Sequence, residues 1–320
     1  MLQRDSNPFK YSDSNKRYHT YDHYMRSLFG CKCYKVPISA GFTCPNIDGT
    51  KGTGGCIYCS GGSRSVISDI SLSPYEQFIN EIKIYRAKDR SCRLVPYFQS
   101  FSCTYGKIEK LKEIYDRALL YPDTVGIAIG TRADCINEEN VSYLASLAER
   151  THLTVELGLQ SSSDKTARLI NRCHTYDDFL CGYSLLRRTS GKIRIGIHVI
   201  CGLPGETESD FLKTAYDIAK LRPDEVKIHL LHVLAGTELC KMYQCGDYVP
   251  IERDEYIRSV CRFLELMPPE TVIGRLTGDG DKKLLMAPAY SKDKKSVLNG
   301  IDKFMYENNM YQGRLYKDEQ

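Results

Sequence analysis

Apolar and polar positions along this chain follow two periods that take turns. Short runs rich in β-branched and aromatic residues recur at 34–40 (YKVPISA), 94–98 (LVPYF), 124–129 (TVGIAI), 153–159 (LTVELGL), 193–200 (IRIGIHVI) and 226–233 (VKIHLLHV) and predict six strands. Between them, stretches at 74–87, 107–120, 138–149, 164–171, 176–189 and 207–220 carry the helical period. Ser73-Pro74 and Asn137-Glu138-Glu139 read as helix starts, because a short polar side chain can bond the free N–H groups of the first turn. Strand and helix in strict alternation imply right-handed crossovers and a parallel sheet.

The βα units follow one another with no Gly/Ser-rich or Pro-rich linker, which favours an α/β fold built as one open barrel, a partial (β/α)6 barrel. A doubly wound sheet is the alternative. After the sixth strand the pattern loosens into a helix near 253–266, a short strand near 271–276 (TVIGRL), the loop Thr277-Gly278-Asp279-Gly280 and a basic helix from about 293. The expected organisation is an N-terminal extension over 1–33, the barrel over 34–235, and a C-terminal α/β extension over 236–320 acting as a lid or substrate element.

Composition changes the picture in two places. No apolar run is long enough to cross a bilayer, and the polar, tyrosine-rich N-terminus lacks the pattern of a secretory signal, so a cytoplasmic protein with no membrane partner is expected. In a reducing compartment, clustered cysteines among the 14 present are metal ligands or catalysts before they are disulfides. Cys135, Cys173, Cys181, Cys201 and Cys261 stand singly in apolar surroundings and read as small buried hydrophobes. The formal charge of +4 is a weak basic lean, with local runs at Arg187-Arg188, Lys282-Lys283 and Lys292 to Lys295.

The candidate chemistry lies directly after the first strand, in a glycine-rich loop with Cys44, Cys56 and Cys59 at Cys-x11-Cys-x2-Cys spacing. Barrel enzymes place their chemistry at the C-terminal ends of strands. Four thiolates normally hold an iron–sulfur cluster, so three leave one iron open to a further ligand. Structural zinc would need a fourth Cys or His, and none lies at zinc-finger spacing near Cys59; Cys31-x-Cys33 is the nearest pair, but it precedes the strand and has no further partner.

The loop resembles that of radical S-adenosylmethionine enzymes, in the long-spaced branch related to the elongator catalytic subunit and to bacterial proteins of the YhcC/YtqA type. The likeness continues in order through Val36-Pro37, Tyr97-Phe98-Gln99-Ser100, Gly130-Thr131-Arg132, Glu156-Leu157-Gly158-Leu159-Gln160, Ile170-Asn171-Arg172, Gly202-Leu203-Pro204-Gly205-Glu206, Lys227-Ile228-His229, His232-Val233 and Arg275-Leu276-Thr277-Gly278-Asp279. The resemblance implies a 4Fe-4S cluster on Cys44, Cys56 and Cys59, with S-adenosyl-L-methionine on its open iron. It also implies cofactor contacts from Tyr58 (adenine), Gln99 and Ser100 (methionyl amine), Thr131, Gln160 and Arg172 (ribose or methionine moiety) and His198 (ribose). An electron donor such as flavodoxin or ferredoxin is implied as a partner.

Glu156, Lys227, His229 and His232 are polar residues on otherwise apolar strands. An internal Glu–Lys pair and a substrate role both fit them. Arg132, Arg275 and Asp279 sit where substrate could reach. The related branches act on the carbon-5 side chain of the wobble uridine in tRNA, so tRNA is the implied substrate, for example with conversion of carboxymethylaminomethyluridine to aminomethyluridine. A radical enzyme on a small metabolite or peptide, and a non-catalytic iron–sulfur or zinc protein, are the alternatives.

Overall fold

The computed structural model describes residues 7–60, 69–278 and 280–318. Its elements in chain order are α1 (Tyr21–Phe29), β1 (Cys33–Ile38), α2 (Pro74–Lys88), β2 (Arg93–Phe98), α3 (Ile108–Ala118), β3 (Gly126–Thr131), α4 (Glu138–Ala148), β4 (His152–Gln160), α5 (Asp164–Leu169), α6 (Tyr176–Arg187), β5 (Arg194–Cys201), α7 (Glu208–Lys220), β6 (Glu225–Leu230), β7 (Val233–Leu234), α8 (Glu238–Cys245), α9 (Arg253–Leu266), β8 (Val272–Arg275), β9 (Leu285–Ala287) and α10 (Lys294–Glu307).

The helices start where the side chains dictate. Ser73 and Asn137 both cap their helices, each accepting from the N–H three residues on; Thr175 and Thr207 do the same, with Asp178 and Asp210 returning the bond. Such reciprocal caps satisfy donors that the first turn otherwise leaves unpaired. The larger sheet runs β1-β2-β3-β4-β5-β6-β8, so each strand lies beside its predecessor until the last. This is the parallel, partial-barrel α/β fold that the strand–helix alternation implies. The strand expected inside the C-terminal extension joins this sheet as its seventh member, with Glu225 opposite Val272 and Lys227 opposite Arg275 across a bulge. β6 would otherwise be an open edge, which invites pairing. The apolar run 226–233 is also interrupted: β6 ends at Leu230, and Val233–Leu234 pairs antiparallel with β9 instead.

By internal contacts the chain forms two compact units, one of residues 25–159 and 167–197, the other of residues 1–24, 160–166 and 198–320. In the first, the ammonium of Lys35 on β1 meets Oε1 of Glu156 on β4 at 2.6 Å. In a flat sheet three spacings of about 4.8 Å would separate those strands. The two side chains therefore meet across the concave face of a curled sheet. Glu156 is thus half of an internal Glu–Lys pair, and its partner comes from β1. In the second unit, α9 packs against α7 and α10. The N-terminal segment follows β8: the N–H of Ile273 donates to the carbonyl of His19 (2.7 Å), and His19 donates its own N–H to Gln312 (2.9 Å).

The single cysteines divide. Cys135, Cys201 and Cys261 are buried, and burial pushes their thiols up, Cys135 to about 11. Cys181 corrects the expectation of a buried hydrophobe, for it is exposed on α6, whose inward side is Phe179, Gly182, Tyr183 and Leu186; Cys173 is half-buried. No helix among the described residues is long and apolar enough to cross a membrane.

Candidate functional site

The cysteine loop leaves β1 after Ile38 and folds on its own backbone. Ile47 and Asp48 donate to the carbonyl of Cys44 (2.8 and 3.1 Å), Lys51 to that of Pro45 (2.8 Å), Gly55 to that of Asn46 (2.9 Å) and Cys59 to that of Cys56 (2.8 Å). A second turn, 170–173, docks on it. The N–H of Ile57 donates to Ile170 (3.1 Å), Asn46 Nδ2 to the Asn171 carbonyl (2.6 Å), and Asn171 Nδ2 to the carbonyls of Thr53 and Gly55 (3.1 and 2.8 Å). Asn171 and Cys173 take left-handed backbone, at φ 51° and 55°, which residues with a side chain adopt only where surrounding contacts hold them. Gly52 sits where the two turns meet. A Cβ there would lie 2.4 Å from Asn46 Oδ1 and 2.7 Å from Cys173 Sγ, so no side chain fits.

Positive charge gathers around the thiols. Arg172, 7% exposed, donates from Nη1 to Cys56 Sγ at 3.8 Å and from Nη2 to the carbonyl of Gly158. Arg132 grips Asp134 with both arms of its fork (2.9 Å each) and donates to the carbonyls of Arg172 and Cys173 (2.9 and 3.2 Å); Lys51 reaches Asp134 at 2.8 Å. The Arg132 guanidinium and its hydrogen bonds hold the Asp134 carboxyl far below the usual range against the effect of burial. Arg132 is therefore a buried clamp that fixes the 170–173 turn, where sequence alone placed it within reach of substrate. The clamp is delivered by close packing: in α6, a Cβ on Gly182 would fall 2.2 Å from the carbonyl of Ala133, so a glycine is required despite its cost in a helix. His174, nearly buried among these groups, is pushed down to about 4 by burial and by Arg172.

Tyr58, half-buried between Cys56 and Cys59, has its hydroxyl pushed well up by burial and by the Cys56 thiol. At the end of β2, Gln99 is half-buried, and Ser100 is 2% exposed with an Oγ that has no hydrogen-bond partner among the described residues. Thr131 spends its hydroxyl on Thr104 (2.7 Å), which in turn donates to the carbonyl of Cys135 (3.1 Å). Cys31 and Cys33 lie at the other end of β1, about 17 Å along the strand from the loop. The first unit thus brings together Cys44, Cys56, Cys59, Tyr58 and Arg172.

The second unit holds the other named residues. Gln160 ends β4 in left-handed backbone at φ 76°. The rings of His198 on β5 and His229 on β6 are 5.1 Å apart. His232 is pushed down to about 4 by burial and Lys294, and Lys294 to about 8 by burial and Arg275. A Cβ on Gly280 would lie 2.7 Å from His232 Nδ1, so Gly280 is pressed on that imidazole. Lys227 is buried, and Asp279 lies outside the described residues.

The chemistry of the loop suits an iron–sulfur cluster. Thiolate sulfurs accept N–H bonds and need cationic surroundings when buried; Cys56 has one guanidinium donor and one amide donor, Asn46 Nδ2 at 3.7 Å. Arg172 Nε, also buried, has no partner among the described residues. Zinc makes different demands, since one ion draws its ligands to within about 2.3 Å of a common point. Among the described residues no group of three His, Cys, Asp or Glu side chains, these cysteines included, is placed to hold a single metal ion. Asn46, Asn171 and Lys35 are the residues of this unit that sequence reasoning left without a role. The Pro45-Asn46 step beside Cys44 and the Asn171-Arg172 pair were visible signals.

A family model described as the Radical SAM superfamily matches residues 47–218, and a second, the Radical_SAM C-terminal domain, matches 223–307. The chain belongs to the radical SAM superfamily, whose enzymes use a 4Fe-4S cluster and S-adenosyl-L-methionine. Among individual proteins it is 40% identical to YtqA of Bacillus subtilis over 99% of this chain and 98% of that one. It is 25% identical to a tRNA uridine(34) acetyltransferase of Methanocaldococcus infernus over 71% of this chain and 49% of the relative. Its fold matches the solved structure of the archaeal Elp3 of Methanocaldococcus infernus with a TM-score of 0.69 at 20% identity, over 88% of this chain and 64% of the other.

Proposed function

We propose that this radical SAM enzyme modifies the carbon-5 side chain of the wobble uridine in tRNA, for example by converting carboxymethylaminomethyluridine to aminomethyluridine. The observation that carries the reading is the likeness over 71% of the chain to a protein named for tRNA uridine 34. It covers about half of that relative, so the acetyl transfer in the relative's name is not part of the proposal.

Cys44, Cys56 and Cys59 would hold the cluster, and Tyr58, Gln99, Ser100 and Thr131 would meet S-adenosyl-L-methionine. When bound, the pair supplies a 5′-deoxyadenosyl radical that removes one hydrogen atom from the substrate. In the example, the hydrogen would leave the methylene between nitrogen and carboxylate, where both neighbours stabilise the resulting radical. Loss of a proton, and of a second electron to a one-electron carrier such as oxidised flavodoxin or ferredoxin, would give an imine, and addition of water would then release the two-carbon unit as an aldehyde acid. The protein's residues would orient the groups.

A basic edge in the second unit supports an RNA substrate. Helix α10 opens with Lys294 and Lys295, and Lys292 stands just before its N-cap Asp293, whose carboxylate accepts from the N–H of Ser296 at 3.0 Å. Lys292 and Lys295 are exposed, and exposed lysines can meet phosphate.

Nucleoside mass spectrometry of tRNA from a deletion strain tests the proposal. Loss or accumulation of one modified wobble uridine, restored by the intact gene and not by a Cys56→Ala copy, is expected. An unchanged nucleoside profile would overturn the tRNA reading and leave a small metabolite or peptide as substrate.

A further inference from the structure

The second unit holds a cavity of about 580 Å³ between the end of α7 and the segment 315–318. Its floor is apolar, formed by Ala219, Leu266 and Leu315, and two tyrosines, Tyr216 on α7 and Tyr316, add aromatic rings to the lining. Tyr216 and Leu315 stay 45% and 50% exposed, unusual for side chains of their size. The rim is basic. Lys220 Nζ lies over the Tyr216 ring, 4.2 Å from its centre, and Lys317 stands on the other side. Arg222 donates to both carboxylate oxygens of Asp318 (3.1 and 3.4 Å), and Asp318 also accepts from the Tyr316 hydroxyl at 3.3 Å. These bonds tie the two walls together, so the cavity is built into the fold.

Each part of the lining rules out a simpler occupant. Three cations are set against one carboxylate and about half a negative charge from the C-terminal end of α7, so the rim favours an anion. An inorganic anion would make no use of the apolar floor and the rings, and a neutral apolar ligand would make none of the cations. A nucleoside phosphate uses both, with its base against the tyrosine and leucine side chains and its phosphate on lysine and arginine. We propose that this cavity is a binding site for a nucleoside phosphate, either one residue of an RNA or a free nucleotide. It stands apart from the reaction. Arg222 precedes Glu225 at the start of β6, about 17 Å along the strand from Leu230, whereas barrel enzymes place their chemistry at the C-terminal ends of strands. The inference goes beyond the wobble-uridine reading, and only the RNA source rests on it.

The test is isothermal titration calorimetry of adenosine 5′-monophosphate into the full chain, reconstituted anaerobically and saturated with S-adenosyl-L-methionine so that the cofactor's own site is filled. One saturable site is expected, with adenosine and inorganic phosphate each binding at least tenfold more weakly. The double change Lys220→Ala with Lys317→Ala should weaken the nucleotide at least tenfold and leave adenosine as it was, whereas Tyr216→Ala should weaken both. Iron content and melting temperature should not move, because all three side chains are exposed. Displacement of the nucleotide by tRNA assigns the occupant to a residue of RNA; the two bound side by side assign it to a free nucleotide. If the nucleotide alone does not bind, the same variants are read on tRNA affinity, where a tenfold loss in Tyr216→Ala as well as in the double change supports the RNA residue. The proposal is overturned if inorganic phosphate or adenosine binds as tightly as the nucleotide, or if neither nucleotide nor tRNA binding responds to Tyr216→Ala. An unchanged nucleoside profile in the deletion strain removes the RNA source alone, and the nucleotide titration then decides.

Discussion

Replacing Gly52 by Ala probes the packing of the cysteine loop with one methyl group. That methyl would lie 2.4 Å from Asn46 Oδ1 and 2.7 Å from Cys173 Sγ, inside any allowed contact. Asn46 cannot retreat cheaply, because its Nδ2 is bonded to the Asn171 carbonyl at 2.6 Å and to Cys56 Sγ at 3.7 Å. Overpacking of this kind costs about 1–3 kcal/mol. If Asn46 moves instead, the part-buried Asn171 carbonyl loses its amide donor and keeps only the weak thiol donor of Cys173 at 3.8 Å, at a cost of about 1 kcal/mol. At about 2–4 °C per kcal/mol for a chain of this order of size, the apo-protein should melt roughly 2–12 °C lower. It should also take up less iron on reconstitution, since Asn46 can no longer hold Cys56 in place. Gly54→Ala is the control: nothing lies within 4 Å of its new methyl, and only the left-handed φ of 78° opposes it, worth about 1–2 kcal/mol. Iron per chain and thermal unfolding by circular dichroism are read on the same samples. Full iron in Gly52→Ala with melting within about 2 °C of wild type, against the drop worked from overpacking, would refute the packing argument.

Further outcomes are expected. Cys44→Ala, Cys56→Ala and Cys59→Ala should each abolish the cluster absorbance while Cys31→Ala and Cys33→Ala keep it, because the latter pair sits at the far end of β1; a retained cluster in Cys56→Ala would sink the assignment. Folded His174 holds its proton only below about 4, against 6.5 as its ordinary value, so between those values the unfolded chain binds more protons than the folded one. Its contribution to stability is therefore complete above pH 6.5 and lost as pH falls toward 4, by up to roughly 3 kcal/mol. Denaturant titrations should show His174→Gln flattening that dependence. Lys292 and Lys295 are exposed at the start of α10, so the double change to Glu should weaken tRNA binding and lower the salt slope by about 2 while iron stays bound. Unchanged affinity would separate this helix from substrate recognition.

What could be read from the sequence was local in the chain. Strands and helices announced themselves because burial imposes periods of 2 and 3.6 residues on neighbouring positions, and Ser73 and Asn137 cap their helices because a cap needs only the next three residues. The cysteine loop was legible for the same reason, with its three cysteines inside sixteen positions. What the pattern does not carry is a partner far along the chain. The run 226–233 looked like one strand because apolarity says that a segment is buried and not which neighbour it pairs with; in the fold it changes partner after Leu230.

The sequence by itself therefore determined the elements, the cap sites and the three-cysteine loop. Only the tertiary structure decided that Lys35 meets Glu156, 121 residues away, and that Arg172 reaches Cys56, 116 residues away. It also turned Arg132 from a residue within reach of substrate into a buried clamp on Asp134. The reason is geometric. Which polar groups meet inside a barrel depends on strand order, register and the curl of the sheet, and these follow from the packing of the whole chain rather than from the order of residues within any one segment.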